Sequence, residues 1–140
     1  MSKGDSHLFS GTSGEGKALI DEVIANGEKI SPDNVVLITR DPTGKIVWLE
    51  EGNSSSGLQH IIDRHGHEFN GKGISNDEIP DYVLEAIYQG NVVGTQGKRT
   101  PPRMVYEFTY NGERQRIAVQ VGNNGYIVGA NPKSMKEDLS

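Results

Sequence analysis

Three of the four histidines in the chain, His60, His65 and His67, fall within eight positions, and Arg64 stands among them. They belong to the run Gly57-Leu58-Gln59-His60-Ile61-Ile62-Asp63-Arg64-His65-Gly66-His67. Imidazole is the side chain that titrates nearest neutrality, so one ring can remove a proton in one step and return it in the next. A neighbouring guanidinium adds a permanent charge whose planar fork suits phosphate. Together these are the groups a ribonuclease-like site requires.

On a helix, Leu58, Ile61, Ile62 and His65 share one apolar stripe, whereas His60 and Arg64, four apart, lie together on another face. This reading puts His65 in the last turn at the edge of the core, with Gly66 ending the helix and His67 following as a loop residue. His60 and Arg64 then face a groove or solvent. A shared metal is a poor fit, because paired helical ligands are usually four apart, and positions five apart diverge by about 140° on an ideal helix. Metal binding would have to recruit His67 and a distant carboxylate, and no cofactor is expected.

The elements that must hold this run are legible around it. A chain of 140 residues suits one domain, expected over residues 12–135. Residues 1–11 read as a flexible lead-in, and 136–140 as a frayed tail. Thr12-Ser13-Gly14-Glu15 has capping-box spacing, and Leu19, Ile20, Val23 and Ile24 continue it as a helix that stops at Asn26-Gly27. Asn34–Arg40 and Lys45–Glu50 flank the turn Asp41-Pro42-Thr43-Gly44 and predict a hairpin. Gly52–Gly57 reads as a flexible loop into the histidine helix. Ser75-Asn76-Asp77-Glu78 is a second capping box, whose helix runs through Tyr82, Val83, Ala86 and Ile87 to Gly90. After a polar, basic loop, Thr95–Arg103, the runs Met104–Tyr110, Gln115–Val121 and Tyr126–Ala130 form a meander joined at Asn111-Gly112 and Asn123-Asn124-Gly125. The expected class is α+β, with the N-terminal helices packed on one face of a four- to five-stranded, mainly antiparallel sheet.

Composition narrows the function classes. No apolar run is longer than Val35-Val36-Leu37-Ile38, which cannot span a bilayer, so no membrane partner is expected, and Met1–Ser6 has no apolar signal region behind it. Without cysteine there is no disulfide, thiolate metal site or catalytic thiol. The net charge of −5 works against nucleic-acid binding, but it is polarised along the chain. Residues 1–57 hold five Lys/Arg against nine Asp/Glu, whereas Thr95–Arg116 holds Lys98, Arg99, Arg103, Arg114 and Arg116 against Glu107 and Glu113. Gly11-Thr12-Ser13-Gly14-Glu15-Gly16-Lys17-Ala18 nearly spells a nucleotide-binding phosphate loop. It fails because Ala18 has no hydroxyl for magnesium and His7–Ser10 is too short and polar to be a buried strand.

The G-L-x-H-I-x-x-x-H piece at Gly57–His65, followed by a helix and a meander closing on Gly125-Tyr126-Ile127-Val128-Gly129-Ala130-Asn131-Pro132, resembles C-terminal toxin domains of bacterial and phage polymorphic systems. These belong to the barnase, EndoU, colicin and RelE-like ribonuclease superfamily, and the likeness covers roughly residues 34–133 as a pattern. It implies metal-independent cleavage of RNA, often tRNA, and a cognate immunity protein. It also implies a larger delivery protein, secreted or delivered, whose toxin domain acts in the target-cell cytoplasm. His60 and His65 match the motif histidines, with Arg64 inside the same motif. Relatives often carry a threonine or serine near the closing strand where this chain has Gly129-Ala130-Asn131, leaving Asn131, Ser134 or Thr100 as substitutes. In such a site either histidine could be base or acid. Arg64 with Lys98, Arg99 or Arg103 could supply the cation, and Tyr106 or Tyr110 could stack on a base. The competing readings are a non-catalytic interaction domain of a phage or secretion system and, more remotely, an enzyme acting on a nucleotide such as an ADP-ribosyltransferase.

Overall fold

The computed structural model describes residues 7–98 and 100–135. It is an α+β fold of three helices and two antiparallel sheets. β1 (Phe9–Ser10), β2 (Val35–Arg40) and β3 (Ile46–Glu50) form the smaller sheet, in that order. β4 (Val92–Gln96), β5 (Arg103–Tyr110), β6 (Glu113–Val121) and β7 (Ile127–Lys133) form the larger one as a sequential meander. The Trp48 amide donates to the Gly125 carbonyl at 3.0 Å, and a parallel bridge between Trp48 and Tyr126 sets β3 beside the start of β7.

α1 (Gly14–Ala25), α2 (Gly57–Gly71) and α3 (Ile79–Gln89) are the helices. α2 and α3 cover one face of the larger sheet, where Ile61, Phe69, Val83 and Ile87 meet Phe108, Ile117, Val119 and Ile127. Tyr82 sits at the centre of an edge-to-face cluster, its ring 4.9 Å from Phe108, 5.0 Å from Tyr110 and 5.8 Å from Phe69. Its hydroxyl donates to Gln115 Oε1 at 3.0 Å, so the aromatic core leaves no polar end unsatisfied there.

Not all helices lie on one side. β3 is buried along its whole length: Val47 and Leu49 face the α3 core, while Ile46 and Trp48 pack with Ile20 and Val23 of α1. α1 therefore covers the opposite face of the smaller sheet, as an apolar run buried on both sides of a strand requires.

Four local expectations also change. Residues 7–10 are not a flexible lead-in, since Phe9 pairs with Ile38 and Ser10 with Leu37, and Thr39 Oγ1 donates to the His7 carbonyl. The glycine-rich stretch after β1 is tight packing, because a Cβ at Gly16 would collide with the Ser10 carbonyl, and the cap of α1 is Ser13, whose Oγ accepts from the Gly16 amide at 2.9 Å. Gly66 does not end α2, which runs on to bury Phe69, and Asn76 packs at the glycine. Finally, Val92–Gln96 is a strand paired with β5 where a loop was expected from Thr95 onward. Residues 1–6, 99 and 136–140, including Arg99 and the expected tail, lie outside the described residues.

Candidate active site

The segment leading into α2 is a closed turn. The Asn53 amide donates to the Ser56 carbonyl, and Asn53 Oδ1 accepts from the Ser55 amide at 2.8 Å. Ser56 Oγ and the Tyr126 hydroxyl are 2.8 Å apart, tying the turn to the start of β7. Gly57 takes a φ of +85°, and a Cβ there would crowd the Gly52 Cα and the Glu50 carbonyl, so only glycine fits this entry to the helix. The turn aims the Ser54 carbonyl at His60, whose Nδ1 lies 2.9 Å from it. A carbonyl can only accept, so His60 Nδ1 carries the hydrogen and Nε2 is the nitrogen left for other work.

One and a half turns on, His65 Nδ1 lies 2.8 Å from Glu68 Oε2. This carboxylate fixes the ring in the same sense, with Nε2 as the remaining nitrogen. Arg64 forms no ion pair with a described residue.

α2 packs against β7. The strands of the larger sheet add the opposite wall. Strand alternation turns Tyr106, Phe108 and Tyr110 toward the helices, and Arg103 at the start of β5 toward the other face. The Arg103 guanidinium reaches β7, where Nη1 donates to Asn131 Oδ1 at 3.2 Å. Its Nη2 lies 3.0 Å from where a Gly129 Cβ would stand. Gln96 of β4 donates from Nε2 to the same Asn131 oxygen at 3.0 Å. His60, Arg64, His65, Gln96, Arg103 and Asn131 together line a cavity of about 400 Å³. Two imidazoles, two guanidiniums and two carboxamides thus converge from α2, β4, β5 and β7.

Other candidates fall outside it. Tyr106 is 9% exposed and Tyr110 5%, both in the core on the helix-covered face, so neither offers a free ring face for a base to stack on. Burial, with a smaller contribution from the Asp41 charge, raises the Tyr106 hydroxyl, and burial pushes Tyr110 up to about 12. Lys98 and Thr100 are exposed in the β4–β5 connection and do not line the cavity, nor does Ser134. His67 is an exposed helical residue outside the cavity. Arg114 and Arg116 pair with Glu107, at 3.0 Å each, so this part of the basic stretch is drawn into ion pairs on the outer sheet face. The fourth histidine, His7, stacks on Tyr88 with ring centroids 4.0 Å apart and contacts Glu85, well away in the fold.

Sequence reasoning missed Glu68 and Gln96. The i, i+3 spacing from His65 was an available signal for Glu68. Gln96 becomes visible only once β4 pairs with β5. Among the described residues no group of three or more His, Asp or Glu is placed to hold a metal ion, and no helix is long and apolar enough to cross a membrane. No protein-family model matches the chain, and no curated protein matches it significantly.

Proposed function

We propose that this chain is a ribonuclease that cleaves RNA by transesterification. The supporting observation is the convergence of His60 and His65, each held through Nδ1, with Arg64 and Arg103 around one cavity. In this reaction one imidazole takes the proton of the ribose 2′-hydroxyl as its oxygen attacks phosphorus. The bond to the 5′-oxygen breaks, the second imidazole protonates that oxygen, and a 2′,3′-cyclic phosphate remains. Glu68 can pair with a protonated His65, whereas the Ser54 carbonyl suits the Nδ1–H of a neutral His60. That difference supports His60 as the base and His65 as the acid. Arg64 and Arg103 offset charge building on the equatorial phosphoryl oxygens.

The resemblance at Gly57–His65 supports tRNA as the substrate, an immunity protein as the partner that covers the cavity, and a longer delivery protein that brings the domain into a target-cell cytoplasm. Incubation with total RNA in EDTA, followed by sequencing of the ends, tests the activity. Cleavage leaving cyclic phosphates is expected, and His60→Ala or His65→Ala lowers its rate on the order of 10²- to 10⁴-fold. RNA left intact across a range of pH, or cleaved by both variants as fast as by the parent, overturns the ribonuclease and favours an interaction domain.

A further inference from the structure

The Gln96, Arg103 and Asn131 side chains meet across the sheet in a way that the histidine chemistry does not itself require. Asn131 Oδ1 accepts from both Arg103 Nη1 and Gln96 Nε2, at 3.2 and 3.0 Å. Its Nδ2 faces the Pro132 carbonyl at 3.3 Å and Gln96 Oε1 at 3.4 Å. Both amide atoms of Asn131 engage these neighbours, so it is poorly placed to bind substrate directly, whereas Arg103, although only 6% exposed, carries five N–H donors and lines the same cavity. The Arg103 guanidinium lies directly over Gly129, where a Cβ would stand 3.0 Å from Nη2 and 3.5 Å from Nη1, so a side chain there would crowd it. Along β6, the partner of Asn131 is Ala118, small enough to keep this stretch of the outer face low.

We infer that Asn131 and Gln96 are positioning residues that orient the Arg103 guanidinium over Gly129 as the phosphate-binding group of the cavity. This inference rests on the ribonuclease reading for its substrate, but the anion subsite it describes can be measured without cleavage. The acceptor is an amide oxygen. It directs the guanidinium as a carboxylate would, yet adds no negative charge of its own beside the phosphate. Gln96 then restricts how Asn131 can turn, because each carboxamide donates toward the other. A lysine in place of Arg103 could not reproduce the arrangement, since an ammonium lacks the planar fork that can hold Asn131 on one nitrogen and a phosphoryl oxygen on another.

The test is calorimetric binding of inorganic phosphate and of a 2′-O-methyl RNA oligonucleotide, which cannot undergo the transesterification, alongside thermal melting. Asn131→Ala and Gln96→Ala should each weaken oligonucleotide binding, Asn131→Ala by about ten- to hundredfold and Gln96→Ala by less. In an Arg103→Ala background, Asn131→Ala should add almost nothing, because its effect passes through the missing guanidinium. Asn131→Asp should weaken binding of both probes in the folded protein, because its carboxylate sets a negative charge beside the phosphate. Additive losses in the double variant, or an Asn131→Asp protein that binds both probes as the parent does, overturn the inference. So does a wild-type chain that binds neither probe. Wild-type binding with this pattern but without cleavage of ordinary RNA removes the ribonuclease reading and leaves the anion subsite standing. Gln96→Ala, at a half-buried position, keeps the test decisive if the Asn131 variants fail to fold.

Discussion

The two faces of the four-stranded sheet are built from the same strands, but the helix-facing one is mainly apolar and the other mixes charged residues with the buried Val105 and Ala118. Toward the helices, β5 and β6 present Tyr106, Phe108, Tyr110, Ile117 and Val119 to a buried apolar core. Away from them the intervening positions carry Arg103, Glu107, Arg114 and Arg116, with Asn131 on β7. The period of two sorts one chain into a face that stabilises the fold and a face that can do chemistry. α2 connects them: Ile61 and Phe69 sink into the core while His60, Arg64 and His65 line the cavity. Changes on the first face should therefore alter stability with the site chemistry intact, and changes on the second should do the reverse.

The largest expected stability effect comes from Phe108→Ala. Phe108 is fully buried and packs edge-to-face on Tyr82, so its removal leaves a cavity as well as losing apolar burial. A loss of about 3–5 kcal/mol is expected, read as a lower urea midpoint. The folded fraction should still bind the 2′-O-methyl oligonucleotide as the parent does. If affinity falls with the ring, the faces are coupled and the division between them is wrong.

A smaller effect tests the element that joins the two. Gly66 is buried within α2, and a Cβ there would meet Ile62 Cγ2 at 3.4 Å and Asn76 Oδ1 at 3.5 Å, ordinary contacts. Gly66→Ala should stabilise the protein by about 0.5–1 kcal/mol, because alanine is the better helix former and restricts the unfolded chain. A destabilised variant in thermal melting would mean the helix breaks near Gly66, and that His65 and Glu68 are not held on one continuous helix.

What could be read in advance divides along physical lines. His60, Arg64 and His65 were legible because their spacing is local, and the hairpins because their turns carry their own chemistry at Asp41–Gly44 and Asn111-Gly112. Arg103 and Asn131 stand out singly by residue type, but their meeting depends on strand register between segments far apart in sequence. Residue type alone suggests Tyr106 as a stacking ring, but its shared parity with Phe108 and Tyr110 puts it on the core face. Gly66 reads as a stop, yet a glycine's local preference is weak beside the burial of Phe69 on the next turn. β1 escaped notice because two residues carry no periodicity, and only pairing with β2 makes them a strand. The position of α1 was recoverable from Ile46-Val47-Trp48-Leu49, an unbroken apolar run that needs cover on both sides.

The smallest effect probes the outer face away from the cavity. Hydrogen bonds from Arg114 and then Arg116 hold the Glu107 carboxyl below the usual glutamate range. A carboxyl that is more acidic when folded contributes stability above its unfolded value, and that contribution is lost as pH falls through the lower folded value. The wild-type chain should therefore exceed Glu107→Gln slightly in urea midpoint near neutrality, and the gap should close as the pH is taken below about 4. Added salt should narrow it as well, since Arg114 is close to half exposed and such pairs are screened. Oligonucleotide affinity should not fall, because Glu107 does not line the cavity. A gap that widens in acid would reverse the sign of the linkage, and one as large as that of Phe108→Ala would make the outer face a second source of stability.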